Sequence, residues 1–179
     1  GAAREAVLIY GSGGFTSYSP EKLRKQLGGW VKDGIPRVKM KVGRDAAADP
    51  TRVRVVRKAI GEKAELFIDA NGGYSRKQAR RVGAALDELG VVWFEEPVSS
   101  DDVDGLRVLR DALRCDVTAG EYAADVYDAE ALCAAVDCLQ LDATRCGGFT
   151  GFRRGAAVAA AHNLEVSAHC APALHAPVT

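Results

Sequence analysis

The chain has 179 residues, 47% apolar and 27% charged, with 24 Lys plus Arg against 24 Asp plus Glu. That length allows one domain with a full core, and the composition excludes a disordered or low-complexity chain. Zero net charge without a basic, aromatic-studded cluster argues against nucleic acid as a partner, and no apolar run nears the roughly 18 residues of a membrane span, which leaves small-molecule chemistry.

In chain order, the apolar run Ala6 to Tyr10 reads as a first strand closed by Gly11-Ser12-Gly13-Gly14. A helix follows, with Ser19 as its cap, Pro20 in its first turn, an apolar face of Leu23, Leu27, Trp30 and Val31, and Gly34 as its stop. The run Val38–Val42 predicts a second strand carrying Lys39 and Lys41, and Asp49 to Ile60 a second helix ended by Gly61. The same alternation continues through strand Leu66–Asp69, helix Ser75–Leu89, strand Val91–Glu95, helix Asp101–Leu113, strand Val117–Glu121, helix Asp125–Val136, strand Cys138–Asp142, helix Thr150–His162 and strand Leu164–His169. Residues 171–179 read as the start of a seventh helix. Each helix begins at a capping residue and repeats Val, Leu or Ala at helical spacing.

Seven strands alternating with six clear helices predict an α/β fold with a parallel sheet covered on both faces. Six strands end in ionisable residues, Lys41, Asp69, Glu95, Glu121, Asp142 and His169, at intervals from 21 residues (Glu121 to Asp142) to 28 (Lys41 to Asp69). A doubly wound sheet concentrates its ligand groups at one switch point, whereas a (β/α) TIM-type barrel presents every strand end at one mouth, so the barrel is the expected architecture. Seven strands leave it unclosed, which predicts one incomplete barrel domain over residues 1–179 that either continues in a longer polypeptide or pairs with another chain; a homo-oligomer is expected. Cys115, Cys133, Cys138, Cys146 and Cys170 form an odd set with no Cys-x-x-Cys spacing and read as reduced thiols of a cytoplasmic protein.

Asp69, Glu95 and Glu121 end three successive strands whose backbones are about 5 Å apart when adjacent. Carboxylates gathered there repel unless a cation joins them, and an all-oxygen set suits a hard ion such as Mg²⁺. Capping of the next helix or pairing with an arginine is the alternative for each acid. Lys39 and Lys41 share one strand face on one side of the trio. On the other side, Asp142 can bind one ring nitrogen of His169 and fix its tautomer. In a closed ring the lysines and His169 face each other across the mouth, an arrangement for taking a proton from carbon and returning one elsewhere.

Five motifs in order, Lys39-Met40-Lys41, Asp69-Ala70-Asn71, Glu95-Glu96-Pro97, Gly120-Glu121 and the Asp142/His169 pair, resemble the enolase superfamily and, within it, the mandelate racemase subgroup. The resemblance covers nearly the whole chain. It implies Mg²⁺ held by Asp69, Glu95 and Glu121, Lys41 and His169 as acid/base catalysts, Lys39 neutralising a substrate carboxylate, and Asn71 touching substrate; an enediolate pathway is the superfamily's known chemistry. Muconate-lactonizing relatives place a catalytic Lys where this chain has Asp142, and some sugar-acid dehydratases have His where it has Asn71. The family's N-terminal capping domain and eighth strand have no counterpart in the sequence. The expected function is abstraction of the proton α to a carboxylate, as a sugar-acid dehydratase, with racemisation or epimerisation of a 2-hydroxy acid as the runner-up and a non-catalytic barrel fragment or scaffold as the rival. A metal-dependent hydrolase is disfavoured because the metal-proximal positions are carboxylates and not histidines. Glu96 is expected to point away from the mouth, Arg145 to touch substrate or form a salt bridge, His162 to lie near a helix end, and His175 has no assignable partner.

Overall fold

The computed structural model describes residues 5–178. The chain forms two compact units, one spanning Tyr10–Val117 and the other, among the described residues, 5–9 and 118–178. Strand and helix alternate throughout.

In the first unit β1 (Gly11–Gly13), β2 (Arg37–Lys41), β3 (Glu65–Asp69) and β4 (Val91–Glu95) pair in sequence order, all parallel, with α1 (Pro20–Lys32), α2 (Asp49–Ile60), α3 (Arg76–Asp87) and α4 (Val103–Ala112) between and after them. Helices α1 and α3 start at the predicted caps, whereas α4 is capped one residue later than Asp101 and α2 follows Ala48 with no side-chain cap. Ser19 caps α1, Ser75 and Gln78 form a reciprocal capping box on α3, and Asp102 accepts from Gly105 N–H at the head of α4. The strand faces divide cleanly. Val38, Met40, Leu66, Ile68 and Phe94 are fully buried, as are Leu23 and Leu27 of α1, each full burial stabilising by about 1.5–3 kcal/mol.

The first strand departs from the sequence reading. Ala6–Tyr10 contains no strand, and the glycine run supplies β1 itself, paired as Gly11 with Val38 and Gly13 with Met40. The cause is Trp30 of α1. A Cβ on Gly11 would stand 2.5 Å from its ring, so only glycine lets the strand pass under the indole.

The second unit carries β6 (Cys138–Leu141) and β7 (Glu165–Ala168), parallel to each other, and β6 pairs through Thr118 and Ala119 with β5 (Asp116–Ala119), within which the division between units falls. Its helices are α5 (Val126–Cys133), α6 (Gly148–Ala161) and the single turn α7 (Pro172–His175). Cys115, Cys133, Cys138 and Cys146 are buried free thiols and Cys170 is an exposed one. No helix among the described residues is long and apolar enough to cross a membrane.

Candidate active site

In the first unit the site is built in two layers. Lys39, Phe67 and Trp93 lie on one face of β2, β3 and β4, and two residues further on the same face carries Lys41, Asp69 and Glu95, with Lys41 opposite Asp69 and Asp69 opposite Glu95. The lower layer is aromatic: Phe67 stacks on Trp93 with ring centroids 5.1 Å apart, and Tyr10 packs on Phe67 at 5.6 Å. Lys39, 2% exposed, extends from this floor to hydrogen-bond the Glu95 carboxylate, with Asp69 Oδ2 at 3.6 Å. Burial opposes its charge, but Glu95, then Tyr10 and Asp69, outweigh that and hold the ammonium above its ordinary range.

Lys41 binds Asp69 and donates to Asn71 Oδ1 at 2.8 Å. Asn71 has φ 45°, a left-handed conformation asparagine tolerates, and its N–H returns to Asp69 Oδ1 at 2.8 Å. The Asp-x-Asn spacing thus makes a tight turn that fixes both side chains. Asp69 and Glu95 are both fully buried. Burial raises Asp69, yet Lys39 and Lys41 prevail and lower it, whereas burial and then the like charge of Asp69 push Glu95 up to about 7 against the pull of Lys39.

The loops behind these side chains are pinned by a group not singled out in the sequence. Asp49, 1% exposed at the start of α2, accepts from Tyr74 Oη at 2.5 Å and from Gly43 N–H at 2.9 Å. It ties the segment after Lys41 to the segment after Asn71. Burial, followed by the Asp49 hydrogen bond, raises the Tyr74 phenol.

In the second unit Glu121 follows β5, Asp142 follows β6 and His169 follows β7. Gly120 has φ 129°, and a Cβ there would meet the Gln140 carbonyl oxygen at 2.4 Å, so the Gly-Glu pair is a requirement of the bend that aims Glu121. His169 Nδ1 lies 2.8 Å from Asp142 Oδ2, and its Nε2 is 3.1 Å from Glu121 Oε2. Asp142 Oδ1 accepts from the Thr144 amide and hydroxyl, both at 2.8 Å. Burial raises Asp142, but the hydrogen bonds from His169 and Thr144 outweigh it and keep the carboxyl below its usual range. Arg145 donates to the Glu121 carbonyl at 3.0 Å and to its carboxylate at 3.3 Å, the salt bridge that is one of the two roles its sequence position left open. His162 caps the end of α6 beside Glu130, as its position in the sequence implied. His175, by contrast, is fully buried among backbone groups of this unit, which no sequence signal announced.

The donors fit a hard cation. Asp69, Glu95 and Glu121 all offer carboxylate oxygens on buried side chains, the donor chemistry such an ion takes.

Residues 22–179 match the enolase C-terminal domain-like family. Among solved structures, a mandelate racemase/muconate lactonizing enzyme-like protein from Rubrobacter xylanophilus is 50% identical with a TM-score of 0.96, covering 99% of this chain and 50% of that one. L-talarate/galactarate dehydratase of Salmonella typhimurium is 33% identical over 179 residues, 98% of this chain and 45% of its own length. L-talarate dehydratase from Polaromonas sp. JS666, solved in complex with Mg and L-glucarate, is 32% identical with a TM-score of 0.92, covering 97% of this chain and 50% of that one. Other relatives are cycloisomerases and epimerases. The chain spans about half the length of the curated relatives it matches. With the motifs, the fold and these likenesses together, the chain belongs to the enolase C-terminal domain-like family, among the mandelate racemase/muconate lactonizing enzyme-like members of the enolase superfamily.

Proposed function

We propose that the protein is a Mg²⁺-dependent enzyme that removes the proton α to the carboxylate of a sugar acid and expels a β-hydroxyl as water. In this reading Asp69, Glu95 and Glu121 hold the metal at the mouth of a (β/α)8 barrel, and residues 1–179 supply seven βα units of that one catalytic domain. When bound, magnesium supplies the positive charge that makes the α-carbon acidic. His169 exchanges its proton at Nε2 while Asp142 keeps the other nitrogen engaged. Lys41 exchanges a proton at Nζ, Lys39 neutralises the substrate carboxylate, and Asn71 contacts substrate. The balance is simple: the α-proton passes to one base, the β-hydroxyl leaves with a proton from the conjugate acid of a base, and the enol that results becomes a 2-keto acid.

The observation that carries this reading is the His169–Asp142 pair at 2.8 Å at the ends of neighbouring strands. The likeness to L-talarate/galactarate dehydratase favours dehydration, while the epimerases among the relatives favour the second reading, inversion at the α-carbon of a 2-hydroxy acid. Incubating the intact protein with magnesium and a library of sugar acids in D₂O separates them. A 2-keto product identifies a dehydratase; deuterium at the α-carbon without keto product identifies an epimerase. Neither, together with no heat on divalent-ion titration and no loss of any activity in Lys41→Ala, overturns both in favour of a scaffold. Homo-oligomer formation is part of the proposal and is read by light scattering.

A further inference from the structure

We propose that His175 is a positioning residue that locks the Asp142–His169 pair by tying together the two backbones that carry it. Its Nε2 accepts the Ala143 N–H at 2.9 Å, and its Nδ1 faces the Cys170 carbonyl oxygen at 3.0 Å. Ala143 directly follows Asp142, and Cys170 directly follows His169. One ring therefore spans the exits of β6 and β7 immediately beyond the pair.

The partners dictate the state of the ring. A backbone N–H can only donate, so Nε2 must be bare; a carbonyl oxygen can only accept, so the proton sits on Nδ1. This is the neutral Nδ1–H tautomer, and either the other tautomer or the imidazolium would set an N–H against the Ala143 N–H. The ring is 1% exposed and packs on Phe152 with centroids 5.6 Å apart, so water cannot substitute for either partner. Asp142 Oδ1, 3.7 Å from Nε2, lies beyond hydrogen-bonding distance, which leaves that carboxylate to Thr144 and His169.

The backbone is shaped to deliver this ring. Cys170 and Ala171 have φ of 52° and 37°, left-handed values that non-glycine residues rarely adopt, and they turn the chain sharply after His169 into the single turn of α7. Strained residues persist where their surroundings over-determine them, and the two His175 hydrogen bonds supply that constraint. With His175 in place, the spacing of Asp142 and His169 is fixed by backbone on both sides and not only by their mutual bond. Small displacements of a catalytic group can cost about a hundredfold in rate, so such a lock acts on turnover more than on binding.

The inference rests on the acid/base reading of His169, and its test separates the two. The chain has only three histidines, so ring ¹⁵N spectra can assign His175; the Nδ1–H tautomer through neutral pH is expected, and finding Nε2–H overturns the lock without any variant. In His175→Phe, which keeps an aromatic ring and loses both bonds, hydrogen exchange at the Ala143 amide accelerates and kcat of the intact protein falls at least about tenfold while KM stays near native. His175→Gln, whose amide oxygen can still accept from Ala143, recovers part of kcat. A folded His175→Phe with native kcat or native Ala143 protection overturns the proposal. If the unaltered protein exchanges no α-proton of any sugar or hydroxy acid, the functional reading fails, while the tautomer and the Ala143 protection still decide whether the lock exists.

Discussion

His169 and Asp142 meet at 2.8 Å, Nδ1 to Oδ2, with the carboxylate's other oxygen already engaged by both donors of Thr144. Asp142 is thereby presented to the ring in one orientation, and the ring in turn keeps Nε2 for chemistry. Asp142→Asn removes the charge that holds this arrangement. Turnover of the intact protein is expected to fall by about a hundredfold or more, with an unchanged circular dichroism spectrum. A variant retaining native turnover would show that the pair is structural.

Lys39 is the buried cation between two buried carboxylates. Lys39→Met leaves Asp69 and Glu95 without it, and breaking such a group from one side costs about 3–5 kcal/mol. Urea unfolding of the variant measures the loss.

Glu95 gives stability an unusual pH dependence. Its carboxyl titrates near its ordinary 4.5 in the unfolded chain and at about 7 in the folded one. Between those values the folded state holds a proton the unfolded state has released, so this group's contribution is full below 4.5 and is lost as pH rises through about 7. Asp69 and Asp142 act in the opposite sense: both are lowered from 3.8, so their contribution is present above that value and is lost as pH falls through their folded values. Denaturant unfolding at stepped pH is expected to show a decline toward neutrality that Glu95→Gln abolishes. An unaltered profile in that variant would refute the assignment.

Tyr74→Phe deletes the hydroxyl that donates to Asp49 and leaves the carboxylate with Gly43 N–H as its remaining hydrogen-bond donor. Loss of one partner of a buried polar group costs about 1–3 kcal/mol. Because Gly43 lies two residues beyond Lys41, the lowered melting temperature is expected to accompany slower turnover. Calorimetry and kinetics on the same preparation test both.

Much of this was legible along the chain. Lys41, Asp69, Glu95, Asp142 and His169 each stand at or just beyond the end of an apolar run, and a period of one βα unit is enough to place them at strand ends. The caps Ser19 and Ser75 were equally plain, since capping is a matter of a few adjacent residues, whereas α4 is capped by Asp102 and not by Asp101. The first strand was not: three residues of Gly11–Gly13 carry no apolar signal, and their need for glycine comes from Trp30, which lies in the following helix.

What the sequence alone determined is the order of βα units and the residue type at each strand's end, because both follow from local periodicity and from chemistry that side chains carry wherever they are. What only the tertiary structure decided is which atom faces which. The aromatic floor beneath Lys39, the choice of Asp49 as partner for Tyr74, and the burial of His175 between Ala143 and Cys170 depend on strand register and on turns that bring together residues 25 and 32 positions apart. Such pairings leave no periodic trace, since hydrogen bonds across elements are selected by burial and direction and not by spacing along the chain.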